Sequence, residues 1–149
     1  MYQNIRKARF AYEQNEVLNL SPVQITERLY KALGKGLRIS KDGLLEGNPA
    51  RKGENIGKAI SILGELRASL DLEQGGEIAS NLSGLYAYLI NELTMANLKN
   101  EVTRIDRAIK VVDPLIAAWS ELAEKETTKN ALVPGPADYD QPVAVHAAY

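Results

Sequence analysis

The sequence predicts an all-α protein, an antiparallel four-helix bundle with a short N-terminal helical arm and an irregular C-terminal tail. Apolar residues recur every three or four positions in four successive segments, a spacing that places them on one face of a helix. Short connections separate the segments and so favour side-by-side, antiparallel packing. The chain has 149 residues, of which 45% are hydrophobic, enough for one domain with a buried core. We expect the arm at 1–20, the bundle domain at 21–126 and the tail at 127–149.

Composition and charge exclude several classes of function. The formal net charge is −1 and neither sign is concentrated, which argues against a binder of nucleic acid or anionic membranes. The chain has no cysteine, so disulfides, thiolate catalysis and cysteine-based metal sites are ruled out. No apolar run approaches the roughly 20 residues that span a bilayer, and none follows the basic N-terminal residues as in a secretory signal. We therefore expect a cytoplasmic protein without membrane insertion.

The arm and the first helix meet at a clear capping signal. Short isolated helices are marginal in water, so we expect the arm, 1–20, to gain order by docking on the bundle; a frayed terminus is the alternative. Ser21, followed by proline, predicts a helix start, since the serine accepts from free N–H groups and proline at the first position loses no hydrogen bond. The helix is predicted to end near Lys41, before the Asp–Gly pair at 42–43 and a turn at 47–49.

The second helix, from about Pro49 to Leu70, carries a stripe of small residues beside its apolar face. The stripe consists of Gly57, Ser61, Gly64 and Ala68. Glycine inside a helix costs up to about 1 kcal/mol relative to alanine, so two on one line indicate a close approach to the backbone. Either another helix of the same molecule packs there, or the stripe is a groove for another chain.

The third helix is predicted to follow a stop at Asp71 and a restart at the glycine pair 75–76, because glycine reaches left-handed backbone angles at little steric cost. Its core stripe is predicted to consist of Ile78, Leu82, Leu85, Leu89 and Leu93. Gly84 and Tyr88 lie roughly opposite that stripe. Tyr88 is either an exposed aromatic anchor, which we favour because aromatic residues concentrate recognition energy, or part of a further helix pair.

The fourth helix is predicted to follow a polar turn or slight irregularity at 97–100 and to end near Glu126. Pro114 interrupts it, and because proline removes one backbone hydrogen bond we expect a kink or a break there. Tyr86 and Trp119 are expected in the core. The residues beyond the fourth helix are rich in proline and lack periodicity, which predicts an irregular or disordered tail.

Residue types that carry catalysis or bind metals are not gathered in the predicted bundle. The single histidine, His146, lies in the predicted tail, so Glu-x-x-His metal sites and histidine-dependent triads are not expected. The glycines at 34 and 36 have neither the preceding strand nor the following Gly-Lys-Ser/Thr of a phosphate-binding loop. We therefore expect no enzyme, no cofactor and no metal.

Short motifs over about residues 1–126 together resemble the FliS family of flagellar export chaperones. Their order and spacing are specific, although each is weak alone. They are Ala11-Tyr12 with Asn15 and Val17, Ser21-Pro22 with Ile25 and Leu29-Tyr30, Lys58-Ala59-Ile60 with Leu66 and Leu70-Asp71, Gly76-Glu77-Ile78-Ala79 with Leu82, Leu85-Tyr86 with Tyr88, Ala96-Asn97 with Asn100, and Ala118-Trp119. Pro114 and the tail after Glu126 fall outside this resemblance.

The resemblance implies a bundle that binds the disordered C-terminal segment of flagellin, prevents its premature polymerisation and assists its delivery to the flagellar type III export apparatus. The export gate of that apparatus is a further implied partner. A segment that folds on binding needs extended grooves to offset its ordering entropy. The candidate partner-binding residues are Tyr12, Asn15, Gly57, Ser61, Gly64, Gly84, Tyr88 and Asn97.

The arm has an implied role of its own. Tyr12 and Asn15 match the family's N-terminal motif, and the arm that carries them would cover a groove until flagellin displaces it. We expect a monomer or weak homodimer. The alternative function is a homo-oligomeric structural bundle or adaptor without a disordered client, for which the stripe on the second helix would also serve.

Overall fold

A computed structural model describes residues 19–132 of the chain, with side chains for 19–129, as a bundle of four helices. They are α1 at Pro22–Leu45, α2 at Pro49–Ala68, α3 at Leu72–Lys99 and α4 at Val102–Leu132. α1 and α3 each pack against both α2 and α4, so the helices enclose one core. The described residues contain no strand, and the predicted all-α bundle is confirmed. The expected arm up to residue 18, with Tyr12 and Asn15, lies outside the described residues, as does the expected tail from residue 133.

Neighbouring helices are antiparallel. The hydroxyl of Ser21 at the start of α1 donates to Glu126 near the end of α4. Lys41 near the end of α1 pairs with Asp106 near the start of α4 at 2.8 Å. The connections between successive helices are two or three residues long, too short to cross the bundle. The up-down-up-down order therefore follows from short connections, as predicted.

Local capping fixes the helix starts. Ser21 accepts from the backbone N–H of Gln24, whose side chain accepts from the N–H of Ser21, a reciprocal capping box. Asn48 caps α2 through the N–H of Arg51. Asp71, expected at a helix stop, instead caps the start of α3, because its carboxylate satisfies N–H groups that have no partner within the helix.

The end of α1 differs from the prediction. The helix continues past Lys41 to Leu45. Gly47, two residues further on, has a φ of 69°, and the N–H of Asn48 bonds the carbonyl of Gly43 at 2.8 Å. This is the hydrogen-bond pattern of a glycine helix terminus. The Asp–Gly pair at 42–43 remains helical because Gly43 packs directly on α2: a β-carbon there would lie 2.7 Å from the backbone nitrogen of Lys52.

α3 contains the predicted restart at the glycine pair. Gly76 has φ 53° and ψ −130°, but one helical turn precedes it, so the helix begins earlier than expected. Ile78 was predicted in the core stripe, and this is wrong: it is 59% exposed, while Ala79 is fully buried. The kink at Gly76 resets which residues of the next turn face inward. At the other end the predicted polar turn is reduced to Asn100, which is left-handed with φ 55°.

α4 runs through Pro114 as one helix, so of the two alternatives predicted there the break is wrong, and the kink stays a prediction. The helix also extends beyond its predicted end near Glu126, so 127–132 are helical where an irregular segment was expected. The hydroxyl of Thr127 bonds the carbonyl of Ala123 one turn earlier, a contact that is compatible with helix continuation.

The centre of the core is aromatic. Tyr30 stacks on Trp119, with ring centroids 6.0 Å apart and planes at 21°, and its hydroxyl shares a hydrogen bond with that of Tyr86. Tyr86 and Trp119 are buried, as predicted. Burial raises the pKa of Tyr30 and of Tyr86 above the ordinary value.

None of the described helices is long and apolar enough to cross a membrane.

Candidate partner-binding surface

The small-residue stripe of α2 is exposed. Gly57, Ser61, Gly64 and Ala68 all face solvent. A β-carbon built on Gly57 or Gly64 would meet no atom within 4 Å. Tight packing between helices of the molecule is therefore the wrong interpretation of the stripe, within the residues that the structure describes. A groove for another chain stays a prediction.

Asn97 lies where α3 meets α2. Its carbonyl accepts from the ammonium of Lys52 at 3.1 Å, and its side-chain oxygen would lie 4.0 Å from a β-carbon on Gly53. Lys52 is 9% exposed and also donates to the side chain of Asn100 at 2.5 Å. Gly57 follows Gly53 by one turn, so the α2 stripe borders α3 on this same side.

Tyr88 lies on the other side of α3. It is 44% exposed, which confirms the exposed position but leaves the anchor role a prediction. Glu92 follows it by four residues and therefore shares its face of the helix, and Glu92 pairs with Arg104 of α4 at 2.9 Å. Gly84 precedes Tyr88 by one turn and is also exposed. The predicted site residues on α2 and α3 are thus divided between the α2 side and the α4 side of α3.

Sequence reasoning missed a set of exposed and half-buried apolar residues on the sides of α3 and α4 that the Glu92–Arg104 contact joins, which we call the α3–α4 furrow. Its residues are Ile78, Leu85 and Tyr88 of α3 with Leu115, Ala118 and Leu122 of α4. Ile78 is 59% and Leu122 is 49% exposed, whereas Leu85 and Leu115 are partly buried against the core. On α4 the furrow residues recur at helical spacing from Arg104, the residue that contacts α3. The sequence contained a signal for this surface: a second apolar stripe at 115, 118 and 122, which lies beside the predicted core stripe of α4.

Ion pairs close one end of the furrow. The carboxylate of Glu92 is 6% exposed and contacts Arg104 at 2.9 Å and Arg107 at 3.5 Å. Arg104 also bonds Glu101, and this contact holds the pKa of the Glu101 carboxyl below its usual range and raises the pKa of the Arg104 guanidinium. These contacts tie α3 to α4 at the turn that joins them.

The described residues were compared with the requirements of a metal site and of an unpartnered buried polar group. Within the described residues, no cluster of acidic or histidine side chains that could hold a metal ion is found. Buried side-chain polar atoms in the same part of the chain are all hydrogen-bonded, so none points unpartnered into a cavity. The exposed apolar side chains on α3 are Leu72, Ile78, Tyr88 and Leu98.

Fold and surface together define a small antiparallel helical bundle with an open apolar furrow. Residues 4–126 match the family model described as flagellar protein FliS. The chain is 37% identical over 113 residues to the flagellar secretion chaperone FliS of Salmonella typhimurium, covering 75% of this chain and 84% of that protein. It therefore belongs to the FliS family of flagellar secretion chaperones, and the resemblance seen in the sequence is confirmed.

Other relatives give the same result. The FliS chaperone of Vibrio cholerae is 36% identical over 102 residues, with 68% of this chain and 75% of that protein covered. That of Campylobacter jejuni is 35% identical over 117 residues, with 78% and 91% covered. Membership of this family supports a chaperone role in flagellar export.

Proposed function

We propose that this protein is a cytoplasmic chaperone that binds the disordered C-terminal segment of flagellin, prevents its premature polymerisation and assists its delivery to the flagellar type III export apparatus and its gate. Family membership supports the general role. The observation that carries the specific role is the α3–α4 furrow, where Ile78, Tyr88 and Leu122 remain half exposed beside a filled core.

An exposed apolar furrow suits a disordered client. A segment that folds on binding loses conformational entropy, and a long apolar contact offsets that loss. The furrow runs along α3 on one side, and the α2 stripe with Gly57 and Gly64 borders α3 on the other. A segment that wraps around α3 would contact both surfaces. The candidate residues on the α2 side and on the α4 side of α3 would then belong to one extended site.

Tyr88 is proposed as the principal anchor. Its ring is 44% exposed and lies between the apolar part of the furrow and the Glu92 ion pairs. Aromatic anchors often contribute about 2 kcal/mol or more to an interface, so Tyr88→Ala should weaken flagellin binding by about tenfold or more. Leu98→Ser is the control on the same helix, because Leu98 is 73% exposed but lies beyond the Glu92 ion pairs that close the furrow.

The experiment is a calorimetric titration of the protein with a synthetic C-terminal flagellin segment, followed in parallel by circular dichroism. Coupled folding should raise the helicity above the sum of the separate components. Tyr88→Ala should weaken the interaction and Leu98→Ser should leave it unchanged. If the segment does not bind while the protein self-associates through the same surface, the homo-oligomeric alternative replaces this proposal.

The N-terminal arm, with Tyr12 and Asn15, is proposed to compete with the client for a groove on the bundle. Deleting residues 1–16 should then raise the affinity for the flagellin segment and leave the helical spectrum of the bundle unchanged. Unchanged affinity, or loss of the fold, would show that the arm does not act as a displaceable cover.

A further inference from the structure

We propose that a cavity at one end of the bundle binds a carboxylate group, which pairs with the ammonium of Lys52. The ligand class is a short aliphatic carboxylate, either a free acid or the carboxyl terminus of a peptide. The cavity shares no residue with the α3–α4 furrow, and this inference does not rest on the proposed function.

The cavity lies where two helix connections meet. Its volume is about 280 Å³, and its walls come from the end of α1, the start of α2 and Asn100 of the α3–α4 turn. Leu44 and Pro49 supply apolar wall. Gly47 lies at the exposed rim, where a β-carbon would meet no atom within 4 Å. A space of this size, at the lower limit of ligand pockets, accepts a molecule of only a few non-hydrogen atoms.

Lys52 brings a positive charge to the cavity wall without a charged partner. It is 9% exposed and donates to the carbonyl of Asn97 at 3.1 Å and to the side-chain oxygen of Asn100 at 2.5 Å. Both acceptors are uncharged, and the Asn97 carbonyl adds only the partial negative charge of a helix end. The ion pairs of residues 19–129 do not include Lys52. Because desolvation of an ammonium is costly, a buried one ordinarily has a charged partner.

One N–H of this ammonium also lacks an acceptor. A lysine ammonium has three donors, of which two are used, and Lys52 makes no other polar contact within the described residues. The carbonyls of Gly43 and Leu44, which line the cavity, already accept from N–H groups of the α1–α2 connection. The third donor is therefore available to a ligand in the cavity.

The acidic residues of the two connections are engaged elsewhere. Glu46 contacts Arg51 through both carboxylate oxygens, at 2.9 and 3.1 Å. Glu101 pairs with Arg104. Within the described residues, neither carboxylate supplies the missing counter-charge for Lys52.

Two side-chain amides provide further donors. The side-chain oxygen of Asn48 accepts from the N–H of Arg51 at 3.1 Å, and that of Asn100 accepts from Lys52. Each asparagine therefore retains its amide NH₂ group as a donor, and both residues line the cavity. The start of α2 at Pro49 adds the partial positive charge of a helix amino end.

A short aliphatic carboxylate matches this arrangement in charge and in size. Its single negative charge balances one ammonium, and its two oxygens accept from the ammonium and from an amide. Its aliphatic part would contact the apolar wall at Leu44 and Pro49. The ligand would thus satisfy the third donor of Lys52 and supply the absent counter-charge together.

A nuclear magnetic resonance titration of the full chain tests the site, with sodium butyrate as the probe and butyramide as its uncharged counterpart. At an ionic strength held constant with sodium chloride, butyrate should shift the signals of the Lys52 ammonium and of the Asn48 and Asn100 amides until they saturate. Half-saturation is expected at millimolar concentration, because the ligand is small. Butyramide should cause no such shift. Equal shifts from both probes, or from sodium chloride alone, would overturn the carboxylate site.

Asn48→Asp provides the residue-level test. Aspartate caps a helix as well as asparagine does, so α2 is retained while a negative charge enters the site. Butyrate affinity should fall by about tenfold or more, because like charges repel. Gln74→Glu makes the same change in net charge at the exposed start of α3, at the opposite end of the bundle, and should leave the affinity unchanged.

Lys52→Met removes the ammonium and should abolish butyrate binding. Circular dichroism establishes whether this variant is folded, and Asn48→Asp decides the question if it is not. Retained butyrate affinity in folded Lys52→Met, or in Asn48→Asp, would contradict the assignment.

A tripeptide, Ala-Ala-Leu, and its carboxyl-terminal amide separate the two sources of the carboxylate. Binding of the free-acid peptide but not of its amide assigns the site to the carboxyl terminus of a chain. Binding of butyrate without binding of the peptide assigns it to a free small acid. Failure of both butyrate and the free-acid peptide to bind overturns this inference and leaves the proposed function intact, because binding of the flagellin segment is measured separately.

Discussion

Adding one methyl group at Gly43 should destabilise the bundle because it would push α1 away from α2. Gly43 is buried within α1. A β-carbon there would lie 2.7 Å from the backbone nitrogen of Lys52 and 3.1 Å from the carbonyl carbon of Arg51. Both are backbone atoms, so no side-chain rotation relieves the contact, and α2 must shift for Gly43→Ala to fold.

The expected magnitude is the difference between two opposing effects. Alanine is favoured over glycine inside a helix by up to about 1 kcal/mol. Overpacking in a filled interior typically costs about 1–3 kcal/mol, and the upper part of that range applies to Gly43 because the opposing atoms are backbone. We therefore expect Gly43→Ala to lower the free energy of unfolding by about 1–2 kcal/mol.

Gly57→Ala is the matched control. It is also inside a helix, but a β-carbon would meet no atom within 4 Å, so only the helix preference acts and stability should rise by about 0.5–1 kcal/mol. Urea unfolding followed by circular dichroism measures both values. Equal stabilisation by the two alanines would refute the close-packing explanation for the late end of α1.

Three further changes test the polar contacts of the bundle. Lys52→Met removes the ammonium that bonds two acceptors at the α3–α4 turn, and the free energy of unfolding should fall by about 1–3 kcal/mol in the same urea assay. Glu92→Gln removes the buried charge shared by two arginines of α4; a loss of about 2 kcal/mol is expected, and unchanged stability would show that this ion pair is not needed to hold α3. Finally, burial raises the pKa of Tyr30 and Tyr86, so their contribution to stability is complete below about pH 10, the ordinary value in the unfolded chain, and is lost as the pH rises toward their folded values. An absorbance titration should show these phenols ionising together with unfolding, and ionisation within an intact fold would contradict the assignment.

Helix starts could be predicted from the sequence because they depend on local chemistry. Ser21 and Asn48 satisfy the first N–H groups with their own side chains, an effect that requires only neighbouring residues. Helix ends were harder to predict. The Asp–Gly pair at 42–43 is typical of a helix end, and only the contact of Gly43 with α2 explains why the helix continues. The end of α4 was missed for a related reason: the sequence beyond Glu126 loses apolar periodicity before it loses helical structure.

The candidate site was predictable only in part. The exposed position of Tyr88 follows from its place opposite the core stripe of α3, which periodicity reveals. The second apolar stripe of α4, which includes Leu122, was also visible in the spacing. The exposure of Ile78 was not, since it belongs to the predicted core stripe. The exposure of Ile78 depends on how α3 is turned after Gly76, which the spacing of apolar residues does not contain.

The uneven packing of the helices explains why a stable bundle leaves a furrow open beside α3. α1 approaches its neighbours closely at glycines: a β-carbon on Gly34 would lie 2.6 Å from the side chain of Ile116 on α4, and one on Gly43 would meet the backbone of α2. α3 packs less extensively against its two neighbours than α1 does. The ion pairs of Glu92 hold the second half of α3 to α4. The first half contains the kink at Gly76. Tight packing along α1 stabilises the fold, so the first half of α3 can leave apolar side chains uncovered without unfolding the molecule, as a binding surface for a partner segment requires.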